Sequence, residues 1–276
     1  MIHDAPLDAA TAARAVLEAV DAGGEAAVVA LLDEPTPGRR LVLVRDASGA
    51  ERPRGTLGEG ALDEAARDLA RAGLDGSAEG GRHTLTTGGR AVAAYLEVHR
   101  AAPELFVVGA GHIAQPLVAM AAEVGFEVTV LDDRPAFATD ERFPAARAVL
   151  RVDFGDPFAH VTVGPRAHVV LVTRGHRYDY ECLLRLLRAR RPPAYIGMIG
   201  SRRRVRATFE QLLREGVPRP ALARVRAPVG LHLGARTPAE IALSVLAEIV
   251  MLRRGGDGRP LAEVADVLRR LVPEEP

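Results

Sequence analysis

Along residues 9–21 the apolar positions recur with a helical period, Ala12, Val16, Leu17 and Val20 forming one stripe, and predict an amphipathic helix. Two short apolar runs follow at 26–32 and 40–44, separated by Pro35-Thr36-Pro37-Gly38, and read as strands around a turn. Residues 46–49 read as a further turn and 62–72 as a second helix. The stretch 73–81 and Gly88-Gly89 read as loops, and 90–99 alternates as a strand does. This pattern predicts a small α+β N-terminal domain over residues 1–100.

Beyond Ala101-Ala102-Pro103, which reads as a linker, the texture changes. Apolar strands are expected at 104–108, 128–131, 148–152, 167–173 and 194–199. Helical patterns occupy 113–124, 180–190, 205–215, 237–253 and 261–271. Strands alternating with helices predict an α/β domain over 104–276, a Rossmann-like parallel sheet with helices on both faces.

A length of 276 residues suits about two domains. The 36 acidic and 36 basic residues balance, which argues against a nucleic-acid or anionic-membrane binder working through bulk charge. Every basic residue is Arg, and the absence of Lys excludes Lys Schiff-base and P-loop Lys chemistry. The single cysteine, Cys182, allows no intrachain disulfide and no Cys-cluster zinc site, and its Leu-rich surroundings suggest a buried apolar residue. No apolar run approaches the roughly 18 residues of a membrane span. Met1-Ile2-His3-Asp4 does not open a signal peptide, so a cytoplasmic location is expected.

The sharpest local signal is Gly109-Ala110-Gly111-His112-Ile113-Ala114, directly after an expected strand and opening an expected helix. Gly109 permits a tight turn, Gly111 lets a pyrophosphate approach the backbone, and Ala114 lets the helix pack close to the sheet. The helix N-terminus then offers free N–H groups and the positive end of its dipole to phosphate. Asp132-Asp133 ends the next strand, and Asp132 stands 23 positions after Gly109, near the spacing of a ribose-binding acid. Arg134 after it suits a base, a phosphate or solvent.

Two more segments end strands, where open α/β sheets bind ligands. One is Thr173-Arg174-Gly175-His176, with Asp179 nearby; the other is Gly197-Met198-Ile199-Gly200-Ser201-Arg202-Arg203-Arg204, where Ser201 suits an N-cap. Gly230-Leu231-His232-Leu233-Gly234-Ala235-Arg236 precedes a capping box formed by Thr237, Pro238 and Glu240, and reads as a ligand-facing loop. His112, His176 and His232 do not have the spacing of a metal-ligand cluster, so no metal site is expected. These residues leave three functions open: a cofactor carrier, an NAD(P)-dependent oxidoreductase with His176 or Tyr178 as proton donor, and a nucleotide-sensing interaction module. No catalytic residue is assigned.

Taken together, the segments resemble the XdhC/CoxI family, accessory proteins of xanthine dehydrogenase and related molybdenum hydroxylases. The resemblance runs through Phe106 to Ala114, Val128 to Pro135, Asp140-Glu141-Arg142-Phe143-Pro144, Thr173 to His176, Gly197 to Arg204 and Gly230 to Glu248. It implies a carrier that binds the molybdenum cofactor, as molybdopterin or its dinucleotide. Such a carrier protects the cofactor while a cysteine desulfurase partner supplies sulfur, and helps insert it into a molybdenum hydroxylase apoenzyme. It also implies a homodimer. The corresponding cofactor-binding residues are Gly109, Gly111, His112, Ile113, Asp132, Asp133, Arg134, Thr173, Arg174, Gly175, His176, Gly200, Ser201, Arg202, Arg203, His232 and Arg236. The N-terminal match is poorer: many members carry Cys where this chain has Ala61, in the Gly-rich stretch 54–63, and the family's Ser-Ser-Pro-Arg segment is reduced around 34–38. This departure bears on any thiol-based role in sulfur relay.

Overall fold

The computed structural model describes residues 5–33 and 37–265. The N-terminal Met1-Ile2-His3-Asp4, the turn expected at Pro35-Thr36 and the end of the helix expected at 261–271 lie outside the described residues. The chain divides into two compact units after Ala102.

The first unit runs α1 (Ala9–Asp21), β1 (Glu25–Leu31), β2 (Arg40–Arg45), β3 (Glu51–Arg54), α2 (Gly60–Asp75), β4 (Gly81–Thr87) and β5 (Arg90–Arg100). Its antiparallel sheet has the order β3-β2-β1-β5-β4. Asp8 caps α1 by accepting from the Thr11 N–H at 2.7 Å. On one face of the sheet α1 buries Ala12, Ala15, Val16 and Ala19 against Ala26, Val28 and Val42. On the other, α2 buries Leu62, Ala66, Ala70 and Leu74 against Val29, Leu41 and Leu96. Of the stretch expected as a loop at 73–81, residues 73–75 instead finish α2 and Gly81 opens β4, leaving 76–80 as the loop; β3 and β4 are strands that the apolar pattern did not mark.

The second unit runs β6 (Glu104–Val108), α3 (Ala114–Glu123), β7 (Glu127–Asp132), a 3-10 turn (Asp140–Arg142), β8 (Ala148–Arg151), β9 (His168–Leu171) and α4 (His176–Arg188). It continues with β10 (Tyr195–Met198), α5 (Arg202–Arg214), α6 (Arg219–Leu222), β11 (Val225–Arg226), α7 (Pro238–Arg254) and α8 (Leu261–Ala265). The six strands are parallel, in the order β11-β10-β9-β6-β7-β8. Because side chains alternate along a strand, Leu105 and Val107 of β6 pack with α3 and α7, whereas Phe106 and Val108 pack with α4 and α5. Helices therefore cover both faces. The strand order reverses between β6 and β9, which makes the C-terminal end of β6 the topological switch point.

Candidate functional site

The chain leaves β6 through Gly109, whose φ is +112°. A Cβ there would lie 2.6 Å from the Val172 carbonyl oxygen, so only glycine lets this turn meet the end of β9. Gly111 differs. A Cβ on it would meet no other part of the protein within 4 Å, so its missing side chain opens a space above the turn. α3 begins just beyond, with fully buried Ala114 against the sheet and no side-chain cap at Ile113. Of its first N–H groups, that of Ala114 donates to the Gly111 carbonyl at 3.1 Å and Pro116 has none, which leaves the Gln115 N–H to a ligand or water.

Three carboxylates ring the turn, and each is held by an arginine. Asp132, only 1% exposed, closes the end of β7. One of its oxygens accepts from the Ala110 N–H at 2.7 Å and from Arg134 Nη2 at 2.8 Å. The other accepts from the Arg134 N–H and Nε, both at 2.9 Å. Burial pushes the Asp132 carboxyl up, but the Arg134 guanidinium and the two N–H donors outweigh it and lower its pKa from 3.8 to about 2. The sequence places Asp132 as a ribose acceptor; the structure instead uses both its oxygens to tie β7 to the glycine turn. Asp133 is taken as well, by a two-point pair with Arg174 at 2.5 and 2.7 Å. Arg174 also donates to the Tyr178 hydroxyl at 2.6 Å and stacks 4.2 Å from that ring. β6 lies between β7 and β9, so this pair crosses the crevice that opens at the end of β6.

The third carboxylate, Asp179 in the first turn of α4, is fully buried. It accepts from the Thr173 hydroxyl at 2.6 Å and from Arg204 Nε at 2.7 Å, and Arg204 Nη2 is ion-paired with it at 2.5 Å. Arg204 Nη2 also donates to the Thr173 carbonyl at 3.0 Å. Burial raises the pKa of Asp179, and the Thr173 hydroxyl and Arg204 guanidinium work against it. Thr173 is therefore a brace joining β9, α4 and α5. Within the arginine run, Arg204 is the structural member, while Arg202 and Arg203 are exposed. Ser201 caps α5, its hydroxyl accepting from the Arg204 N–H at 3.3 Å. No acidic residue stands in that first turn, so Arg202 and Arg203 sit at the positive end of the helix dipole, an arrangement that an anion would relieve.

Across the crevice, Phe137 carries two guanidinium groups, Arg134 at 3.7 Å and Arg142 at 4.9 Å from the ring centre. Arg142 Nη2 reaches the Ala110 carbonyl at 3.4 Å, and its Nε is buried without a partner. Sequence reasoning did not assign Arg142 to the site; only its place in the family-like stretch 140–144 marks it.

Of the remaining candidates, Gly200 leaves room for the Arg204 side chain, which a Cβ there would meet at 3.2 Å, and Gly175 caps α4 through backbone alone. His112, His176 and His232 are all exposed. The Gly230 loop is anchored to α7: the Gly230 N–H donates to Glu248 at 3.2 Å and the Ser244 hydroxyl to the Leu231 carbonyl at 2.6 Å. Thr237 and Glu240 form the expected capping box. α3 and α7 pack together and both begin at the C-terminal edge of the sheet, which puts His232 and exposed Arg236 at that same edge. Cys182 is fully buried within α4, and burial pushes its thiol up. Among the described residues no group of three His, Cys, Asp or Glu is placed to hold a metal ion, and no helix is long and apolar enough to cross a membrane. A cleft of about 240 Å³ beside Glu104, Phe106, Glu127 and Arg147 lies at the opposite edge of the sheet, where strands begin and no glycine turn or helix N-terminus is present.

Comparison with known proteins places the XdhC Rossmann domain over residues 105–249. An uncharacterized protein of Escherichia coli (strain K12), YqeB, is 35% identical over 171 residues, covering 62% of this chain and 31% of the relative. A protein of Bacillus subtilis (strain 168), named as a probable component of xanthine dehydrogenase, is 34% identical over 152 residues, covering 55% of this chain and 43% of the relative. The chain thus spans less than half the length of these curated relatives. A crystal structure described as a xanthine dehydrogenase from Bacillus halodurans shares the fold, with a TM-score of 0.64 at 24% identity over 91% of this chain and 66% of that one.

Proposed function

This chain belongs to the XdhC family, and from that premise we propose that it carries the molybdenum cofactor, as cargo, to a xanthine dehydrogenase-type hydroxylase. The observation that carries the proposal is the glycine turn at the switch point, where Gly111 leaves open space beside the uncapped start of α3. Molybdopterin bears a phosphate and its dinucleotide a pyrophosphate, and such a turn offers N–H donors to either. The arginines at the same edge add positive charge that favours an anion.

A carrier also fits the way the carboxylates are spent. Asp132, Asp133 and Asp179 are each ion-paired with an arginine, and Tyr178 is engaged by Arg174. None of these groups stands free to act as a general base, which favours binding over proton transfer. In this reading a cysteine desulfurase sulfurates the held cofactor, and the sulfur passes without a thiol at position 61. The test is anaerobic incubation of the purified protein with molybdenum cofactor, then mixing with cofactor-free xanthine dehydrogenase. The carrier reading expects activity to appear faster than with free cofactor. Equal rates, together with turnover of NAD(P)H by the protein alone, would replace it with the oxidoreductase reading.

A further inference from the structure

We infer that Arg142 receives the phosphate of the bound ligand, and that recognition in this crevice stops at the phosphate without reading a ribose. The inference deepens the carrier reading and rests on the same site.

The arginines at this edge differ in their commitments, and Arg202, Arg203 and Arg236 are exposed to solvent. Arg134, Arg174 and Arg204 are each committed to a carboxylate, Asp132, Asp133 and Asp179. Arg142 has no carboxylate within ion-pairing distance among the described residues; its contacts are the Phe137 ring and the Ala110 carbonyl at 3.4 Å. Its Nε lies shut off from solvent with no acceptor, a cost that a folded protein seldom carries without use. Arg142 is also placed: Gln115 in the first turn of α3 donates to its backbone carbonyl at 3.4 Å, and Phe137 supports the guanidinium. Ala110 lies between Gly109 and Gly111, so the uncommitted charge stands beside the open turn. A phosphate over Gly111 would take backbone N–H donors from one side and the Arg142 fork from the other.

The same accounting removes the ribose. In nucleotide-binding Rossmann folds the acid at the end of the second strand accepts from the ribose hydroxyls. Here Asp132 is buried with both oxygens used, and Asp133 is bound at two points by Arg174.

The experiment measures thermal unfolding and calorimetric binding of the full chain with inorganic pyrophosphate and with NAD+, for wild type, Arg142→Gln and Arg142→Lys. Pyrophosphate should raise the unfolding temperature of the wild type. Arg142→Gln should unfold at the same or a higher temperature without ligand, because an orphaned polar group is gone, yet bind pyrophosphate at least tenfold more weakly. Arg142→Lys should keep part of the binding. NAD+ should bind no tighter than pyrophosphate. Unchanged pyrophosphate affinity in Arg142→Gln, or NAD+ binding tenfold tighter than pyrophosphate, would overturn the inference. The carrier reading fails separately: a protein that binds pyrophosphate through Arg142 but retains no molybdenum cofactor sinks that reading alone, and cofactor retention unaffected by Arg142→Gln sinks this inference alone.

Discussion

Replacing Asp132 by Asn separates a brace from a ligand receptor. The carboxylate is 1% exposed and takes four donors, from Ala110 and Arg134. Its pKa falls from 3.8 to about 2 on folding. At about 1.36 kcal/mol per unit, that shift is worth about 2 kcal/mol near neutral pH. The amide also leaves the Arg134 guanidinium without a counter-charge and turns one acceptor into a donor, so a total loss of about 2–3 kcal/mol is expected. For a unit of this size that lowers the unfolding temperature by roughly 5–10 °C. The sign is set by the lowered pKa: the contribution is complete above the unfolded value near 4, about half remains at pH 3, and it is lost as pH falls through about 2. The chain has no Trp, so urea unfolding followed by circular dichroism at several pH values is the suitable assay. A loss under about 0.5 kcal/mol at pH 7, or a gap between wild type and Asp132→Asn already closed at pH 5, would refute the bracing role.

Other substitutions probe neighbouring parts of the same edge. Gly111→Val should fold with near wild-type stability, since its Cβ meets no protein atom within 4 Å, while phosphate binding disappears; calorimetry with pyrophosphate checks this. Gly109→Ala should do the reverse, destabilising by about 2 kcal/mol or more in urea unfolding, because its φ of +112° and the Val172 carbonyl 2.6 Å away both oppose a Cβ. Arg204→Ala should cost about 3–5 kcal/mol by leaving buried Asp179 uncompensated, read as a large fall in unfolding temperature that Arg202→Ala does not produce.

Much of the second unit is legible because its signals are local. β6 is a short apolar run, and the turn at Gly109 is a matter of backbone clearance that glycine alone satisfies. The capping box at Thr237 is likewise contained in four residues. The parts that escape depend on partners distant in the chain. β3 is four residues, Glu51–Arg54, with a proline at its centre and no fully buried side chain; it is a strand because β2 supplies its hydrogen bonds. β4 buries only Leu85 and exists through its pairing with β5. The first turn of α4 has no side-chain cap to announce it. At the site, spacing identifies Asp132 as important but not what it holds, because the answer lies in Ala110, 22 positions away. The division of the arginine run into an inward Arg204 and outward Arg202 and Arg203 follows from Asp179, 25 positions earlier. Arg142 is marked in the sequence only by its place in the stretch 140–144; its significance lies in a half-buried guanidinium that rests on Phe137 with its Nε unpartnered.

The central claim is that the crevice above Gly111 holds a phosphate-bearing molybdenum cofactor. Anaerobic gel filtration of wild type and Gly111→Val after incubation with molybdenum cofactor, with molybdenum and pterin measured in the protein peak, tests it most directly. Near-stoichiometric molybdenum and pterin on the wild type, with neither on a folded Gly111→Val, is the predicted result. Equal retention by both proteins, or retention by neither, would contradict it.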